Sequence, residues 1–164
     1  MLCATLGAGC TSNESFTHPP KSPIPLPTPP CSRYTPDSTR QIVTAFLAAY
    51  NAGAPTITDK FIAPVGEFQW YGAPGREFPD DPVSIDRSTL PSYFVAQHAK
   101  GDQLELKSFS YSGVTYNSDI PAGAQGFGYT LIHRVANGPA QDAPGKGAIS
   151  CLSDKIAVWL ISSW

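Results

Sequence analysis

Charge is scarce in this 164-residue chain: Asp, Glu, Lys and Arg together make up 15% of it, against roughly 25% in an ordinary soluble domain. Eleven basic and thirteen acidic residues leave a net charge of −2, and the basic ones are scattered from Lys21 to Lys155 without a run. Binding to nucleic acid needs a concentrated positive face, so no nucleic-acid partner is expected. No stretch approaches about eighteen consecutive apolar residues, so no segment reads as a membrane-spanning helix. The three histidines, His18, His98 and His133, are far apart in sequence and no C-x-x-C occurs, which leaves a metal site without support. Gly145-Lys146-Gly147 has neither the spacing nor the Ser or Thr of a phosphate loop, and no G-x-S-x-G elbow presents a nucleophilic serine. Neither a metal nor a nucleotide cofactor is expected.

Proline, by contrast, is abundant, and its excess is local. Eight of the seventeen prolines fall between Pro19 and Pro36, within a stretch of Ser, Thr, Pro and small polar residues that has nothing to build a core from. Alternation at Pro23, Pro25, Pro27 and Pro29 favours extended polyproline II, a semi-rigid spacer of about 3.1 Å per residue. Residues 11–36 therefore read as a disordered stalk. The same composition would also suit a proline-rich ligand for aromatic-grooved modules, although the basic cluster that usually accompanies one is missing. Residues 37–164 are enough for one hydrophobic core.

Residues 1–10 end in Ala8-Gly9-Cys10, which resembles the lipobox of bacterial lipoproteins, where a cysteine after small residues is lipidated. That resemblance implies lipidation at Cys10 and a domain held at the bacterial cell envelope, with membrane contact only through the lipid. Gly7 departs from the large aliphatic residue the lipobox favours, and only nine residues precede Cys10; a frayed terminus of a cytoplasmic protein is the alternative. If Cys10 carries lipid, Cys31 and Cys151 remain as a pair able to form a disulfide in an oxidising compartment, or to stay as two separate thiols.

Within 37–164, Ser38-Thr39-Arg40-Gln41 has capping-box spacing, and Ile42, Val43, Phe46, Leu47 and Tyr50 recur on one helical face up to Gly53. A short helix over 58–62 and a strand over 67–71 follow, the strand with Phe68 and Trp70 on its inner face, then a loop over 72–86 and a helix over 88–99. The remainder is β. A parity switch between Leu104/Leu106 and Phe109/Tyr111 predicts a bulge near Lys107 or Ser108, Phe127 to Val135 alternates, and 148–152 pairs with 156–161 as a hairpin. Helices first and strands last predict an α+β fold.

The run Ala45-Phe46-Leu47-Ala48-Ala49-Tyr50-Asn51-Ala52-Gly53, with Phe68-Gln69-Trp70-Tyr71, the Tyr93-Phe94 helix and Gly145 to Cys151, resembles the nuclear transport factor two-like superfamily with its SnoaL-like and ketosteroid isomerase-like members. The resemblance implies a cone, in which a curved, mostly antiparallel sheet wraps the N-terminal helices around a pocket. It also implies that the isomerase positions are empty here. Phe46 stands at the helix tyrosine, Gln69 or Trp70 at the base, and no acid lies between Lys146 and Leu152.

Two functional readings follow. In the first, Tyr50, Trp70, Tyr93, Tyr129, His133 and Trp159 line a non-catalytic pocket for a small apolar ligand, or the domain binds a protein partner. In the second, a SnoaL- or dehydratase-type enzyme uses His133 with Asp59 or Tyr50 as acid and base. The second requires His133 to open onto a cavity with a titratable group close by. Homodimerisation across the sheet is a further reading.

Overall fold

The computed structural model describes residues 31, 34–73, 83–115 and 123–162. The proposed lipidation site Cys10 and most of the 11–36 stalk lie outside them.

Helix α1 spans Pro36–Asn51. Its cap sits earlier than the sequence pattern suggests. The Thr35 hydroxyl accepts from the Ser38 N–H, and the Ser38 hydroxyl accepts from the Thr35 N–H at 2.9 Å. Serine thus fills the role usually taken by glutamate in a capping box, and Pro36 starts the helix where no N–H is needed. Val43, Phe46, Leu47 and Tyr50 form its buried face. Gly53, at φ +63°, turns the chain out of the helix beneath the His98 ring.

Helix α2 (Ile57–Phe61), strand β1 (Trp70–Tyr71), a 3-10 turn (Arg87–Thr89) and helix α3 (Leu90–Ala99) come next, followed by β2 (Gln103–Thr115), β3 (Ala124–Arg134), β4 (Gln141–Ser150) and β5 (Ile156–Ile161). The sheet order is β1-β5-β4-β3-β2, with β1 parallel to β5 and every other pair antiparallel. The fold is α+β, with helices packed against an open, curved, mostly antiparallel sheet. None of the described helices is long and apolar enough to cross a membrane.

Three elements differ from the sequence pattern, each for a local reason. The strand expected over 67–71 shortens to Trp70–Tyr71 because Gly66 and Glu67 belong to a turn, and Glu67 accepts a hydrogen bond from Ser150 rather than facing open solvent. Register shifts occur at Lys107, as the parity change predicts, and again at Ser112. Strand β4 begins at Gln141 and runs through Pro144, Gly145 and Gly147, residues that discourage strands. The two glycines lie opposite Tyr129 and Phe127 on β3, and a Cβ at either would run into the facing ring and a β5 carbonyl. Their lack of a side chain lets the rings lie across β4.

Those rings fill the core. Trp159 is fully buried, stacked on Tyr129 with centroids 4.6 Å apart and met edge-on by Phe46 at 4.8 Å. At one end of the sheet a disulfide joins Cys31 to Cys151. Beside it, buried Gln125 accepts from the Thr39 hydroxyl at 2.7 Å and donates to the Cys31 carbonyl at 3.3 Å.

Candidate functional site

At the end of α1, Asn51 grips the start of β2 from both sides: its amide donates to the Leu104 carbonyl at 2.8 Å and its carbonyl accepts from the Leu104 N–H at 2.9 Å. This clamp brings the neighbouring Tyr50 against Asp102, and the Tyr50 hydroxyl donates to Asp102 Oδ2 at 2.6 Å. Asp102 is held by its own backbone as well. Helix α3 ends at Ala99, Gly101 turns the chain at φ +70°, and the Asp102 N–H donates to the Gln97 carbonyl at 3.2 Å.

From the far side comes His133, which pairs with Leu104 across β2 and β3. Its Nε2 lies 2.7 Å from Asp102 Oδ1. That oxygen has no hydrogen-bond donor aligned on it among the described residues, so the two groups lie close without an in-line hydrogen bond. Asp102 is 2% exposed, whereas the His133 side chain keeps 16% of its surface. His133 Nδ1 makes no hydrogen bond to the described residues. Burial first, then the hydrogen bond and charge of Asp102, push the Tyr50 hydroxyl well above the usual phenol range. Tyr50 therefore stays protonated and serves Asp102 as a donor.

Asp102 and His133 open onto a cavity of about 350 Å³. Tyr93 and Gln97 on α3, with Lys100 just past its end, form one of its walls, and Ala73, Val83 and Val135 supply the apolar part. Its volume is at the small end of ligand pockets.

Of the residues singled out from the sequence, Tyr50 and His133 come together, but through Asp102, which the sequence reading missed. Asp59 does not join them: its side chain is 84% exposed and pairs with Arg87 at 2.9 Å. Tyr93 lines the cavity. Tyr129 and Trp159 instead pack in the core, where Tyr129 donates to the Leu160 carbonyl, and Trp70 is half-buried on the edge strand while its neighbour Tyr71 faces inward. Phe46 is also core. A second, apolar crevice of about 300 Å³ lies between α1 and α3, with Val95 and His98 at its edge. Among the described residues no cluster of His, Cys, Asp and Glu is arranged to hold a metal ion.

No family model matches the chain, and no curated protein matches it. Solved structures do share its shape. A chain of the complex of yeast deubiquitinase Ubp3 with its cofactor Bre5 superposes with a TM-score of 0.53 at 15% identity, covering 74% of this chain and 93% of that one. A protein from Xanthomonas campestris described as a polyketide cyclase gives 0.46 at 17% identity, covering 77% and 90%. A protein from Catenulispora acidiphila gives 0.42 at 17% identity, covering 77% and 86%. At these identities the likeness concerns the fold alone.

Proposed function

We propose that this domain binds a small molecule in the cavity beside Asp102 and performs acid–base chemistry on it with His133. The observation that carries the reading is the Tyr50–Asp102–His133 line, in which a buried carboxylate is held on one oxygen by a phenol and faces an imidazole with the other. A small turn of the His133 ring brings its Nε2–H onto Asp102 Oδ1, and in that arrangement the carboxylate favours the tautomer with its proton on Nε2 and leaves Nδ1 as the basic nitrogen. Asp102 is then a positioning residue, and Tyr50 holds Asp102 rather than acting on the substrate.

A second reading, a binding domain without catalysis, draws support from the Asn51–Leu104 clamp beside the site. There Asp102 would serve chiefly to close α1 onto β2. One experiment separates the two. A panel of small carbon acids, including cyclohexanone, pyruvate and nitroethane, is incubated in deuterium oxide with wild type, His133→Gln and Asp102→Asn, and exchange at carbon is followed by NMR. The catalytic reading expects exchange of at least one compound that falls about a hundredfold in His133→Gln, with Asp102→Asn retaining the fold by circular dichroism and losing part of the rate. No exchange above the His133→Gln background on any compound overturns it in favour of binding alone.

For location we propose the envelope, with lipid on Cys10. The Pro-rich 19–36 segment and the Cys31–Cys151 disulfide, a bond typical of oxidising compartments, support this. Labelled palmitate incorporated by the chain and lost in Cys10→Ser is the expected result. A cytosolic, unlabelled product contradicts it.

A further inference from the structure

The wall of the cavity opposite His133 is one face of α3, continued by Lys100, which caps its end. Tyr93, Gln97 and Lys100 stand at i, i+4 and i+7, the spacing that aligns side chains along one stripe of a helix, and all three line the cavity. Two of them bring hydrogen-bond donors that no described residue engages. Neither the Gln97 amide nor the Lys100 ammonium has a hydrogen bond or ion pair to the described residues.

The acceptors nearby are already engaged. The last carbonyls of α3 are capped, Gln97 by the Lys100 and Asp102 N–H groups and His98 by the Gly101 N–H, so the helix end presents little free negative charge to the cavity. Asp102, the one carboxylate among the described residues of the lining, is covered by Tyr50 on one side and His133 on the other. Among the described residues the solvent-exposed Lys100 ammonium has no ion-pair partner, and it stands beside an amide donor and across from an imidazole.

We infer that the cavity selects a small organic acid, with the ligand carboxylate held by Lys100 Nζ and the Gln97 amide and the rest of the molecule directed toward His133. This rests on the proposed reading of the cavity as the ligand site and adds to it the charge of the ligand. A charge-assisted hydrogen bond is about twice as strong as a neutral one, so a carboxylate gains more here than a neutral group of the same shape.

Benzoate and benzamide test the inference, being close to isosteric and differing in charge. Each is titrated into isotopically labelled wild type, Lys100→Met and Lys100→Arg, with the His133 imidazole signals as the reporter. The expected result is that benzoate moves the His133 signals and binds about tenfold more tightly than benzamide, a difference of about 1.4 kcal/mol. The preference disappears in Lys100→Met, is kept in Lys100→Arg, and shrinks with added salt. Lys100 is exposed at the helix end, so neither substitution threatens the fold. Equal binding of both probes near His133 overturns the acid preference and leaves the cavity reading intact. Binding of benzoate that survives Lys100→Met also overturns it. If neither probe disturbs His133, the cavity reading fails together with the inference.

Discussion

Asp102 Oδ2 accepts the Tyr50 hydroxyl at 2.6 Å although the two residues are 52 positions apart, and this bond ties the last buried turn of α1 to the start of β2. Tyr50→Phe removes the donor while leaving the ring in place. A buried carboxylate that loses such a partner is destabilised by about 1.5–3 kcal/mol. Denaturant unfolding should show that loss, and the exchange activity ascribed to His133 should fall as Asp102 loses its anchor.

Tyr71 and Tyr129 offer a paired comparison. Both are buried, but the Tyr71 hydroxyl has no partner among the described residues, whereas that of Tyr129 donates to the Leu160 carbonyl. Tyr71→Phe is expected to leave stability unchanged or raise it, because an unsatisfied polar group is removed. Tyr129→Phe should cost about 1 kcal/mol. Thermal and denaturant unfolding of the two variants side by side measure the difference.

Stability should fall in alkali. Burial pushes the pKa of Tyr50, Tyr71 and Tyr129 above the ordinary phenol value. The folded chain keeps these protons at pH values where the unfolded chain, with tyrosines near about 10, gives them up. Their contribution is complete below about pH 10 and is lost as pH rises above it. Of the seven tyrosines, the tyrosinate absorbance of these three should therefore appear together with unfolding, as a cooperative step, instead of preceding it.

The Cys31–Cys151 bond closes a sequence separation of 120 residues. Opening so long a loop releases chain entropy in the unfolded state, and reduction is expected to lower stability by about 2–4 kcal/mol. Cys31→Ser should reproduce the effect, and the reduced wild type should match the variant in unfolding midpoint.

Gly145→Ala and Gly147→Ala should each destabilise by about 1–3 kcal/mol, the usual cost of overpacking. The added methyl meets the Tyr129 or Phe127 ring on one side and a β5 carbonyl on the other. Gly66→Ala is a control with open space around the position, where any cost comes from its φ of +97°. Unfolding midpoints of the three variants compare steric overlap with backbone strain.

What could be read from residues alone is what depends on near neighbours. The apolar face of α1 through Val43, Phe46, Leu47 and Tyr50, the bulge at Lys107 and the alternation of β3 are local patterns with periods of 3.6 and 2, and they appear in the structure at those positions. Strand β4 was illegible in its first half, because Pro144, Gly145 and Gly147 argue against a strand until the rings of Tyr129 and Phe127 are laid over them. The inward direction of Tyr71 in place of Trp70 was hidden for a similar reason: the strand starts at Trp70, so parity counted from Glu67 does not apply.

The site divides in the same way. The sequence by itself determined that His133 stands on an alternating strand and Tyr50 on the buried face of the first helix, since each position follows from the pattern around it. Asp102 carried no such pattern, standing alone between a helix-ending glycine and a strand. Only the tertiary structure decided that it is the carboxylate between them, that Asp59 is a surface ion pair, and that Tyr129 and Trp159 fill the core. These outcomes depend on the Asn51 clamp and on the β2–β3 register, contacts between residues about 30 to 50 positions apart. Chain closure over such distances is set by the packing of the whole domain rather than by local preference.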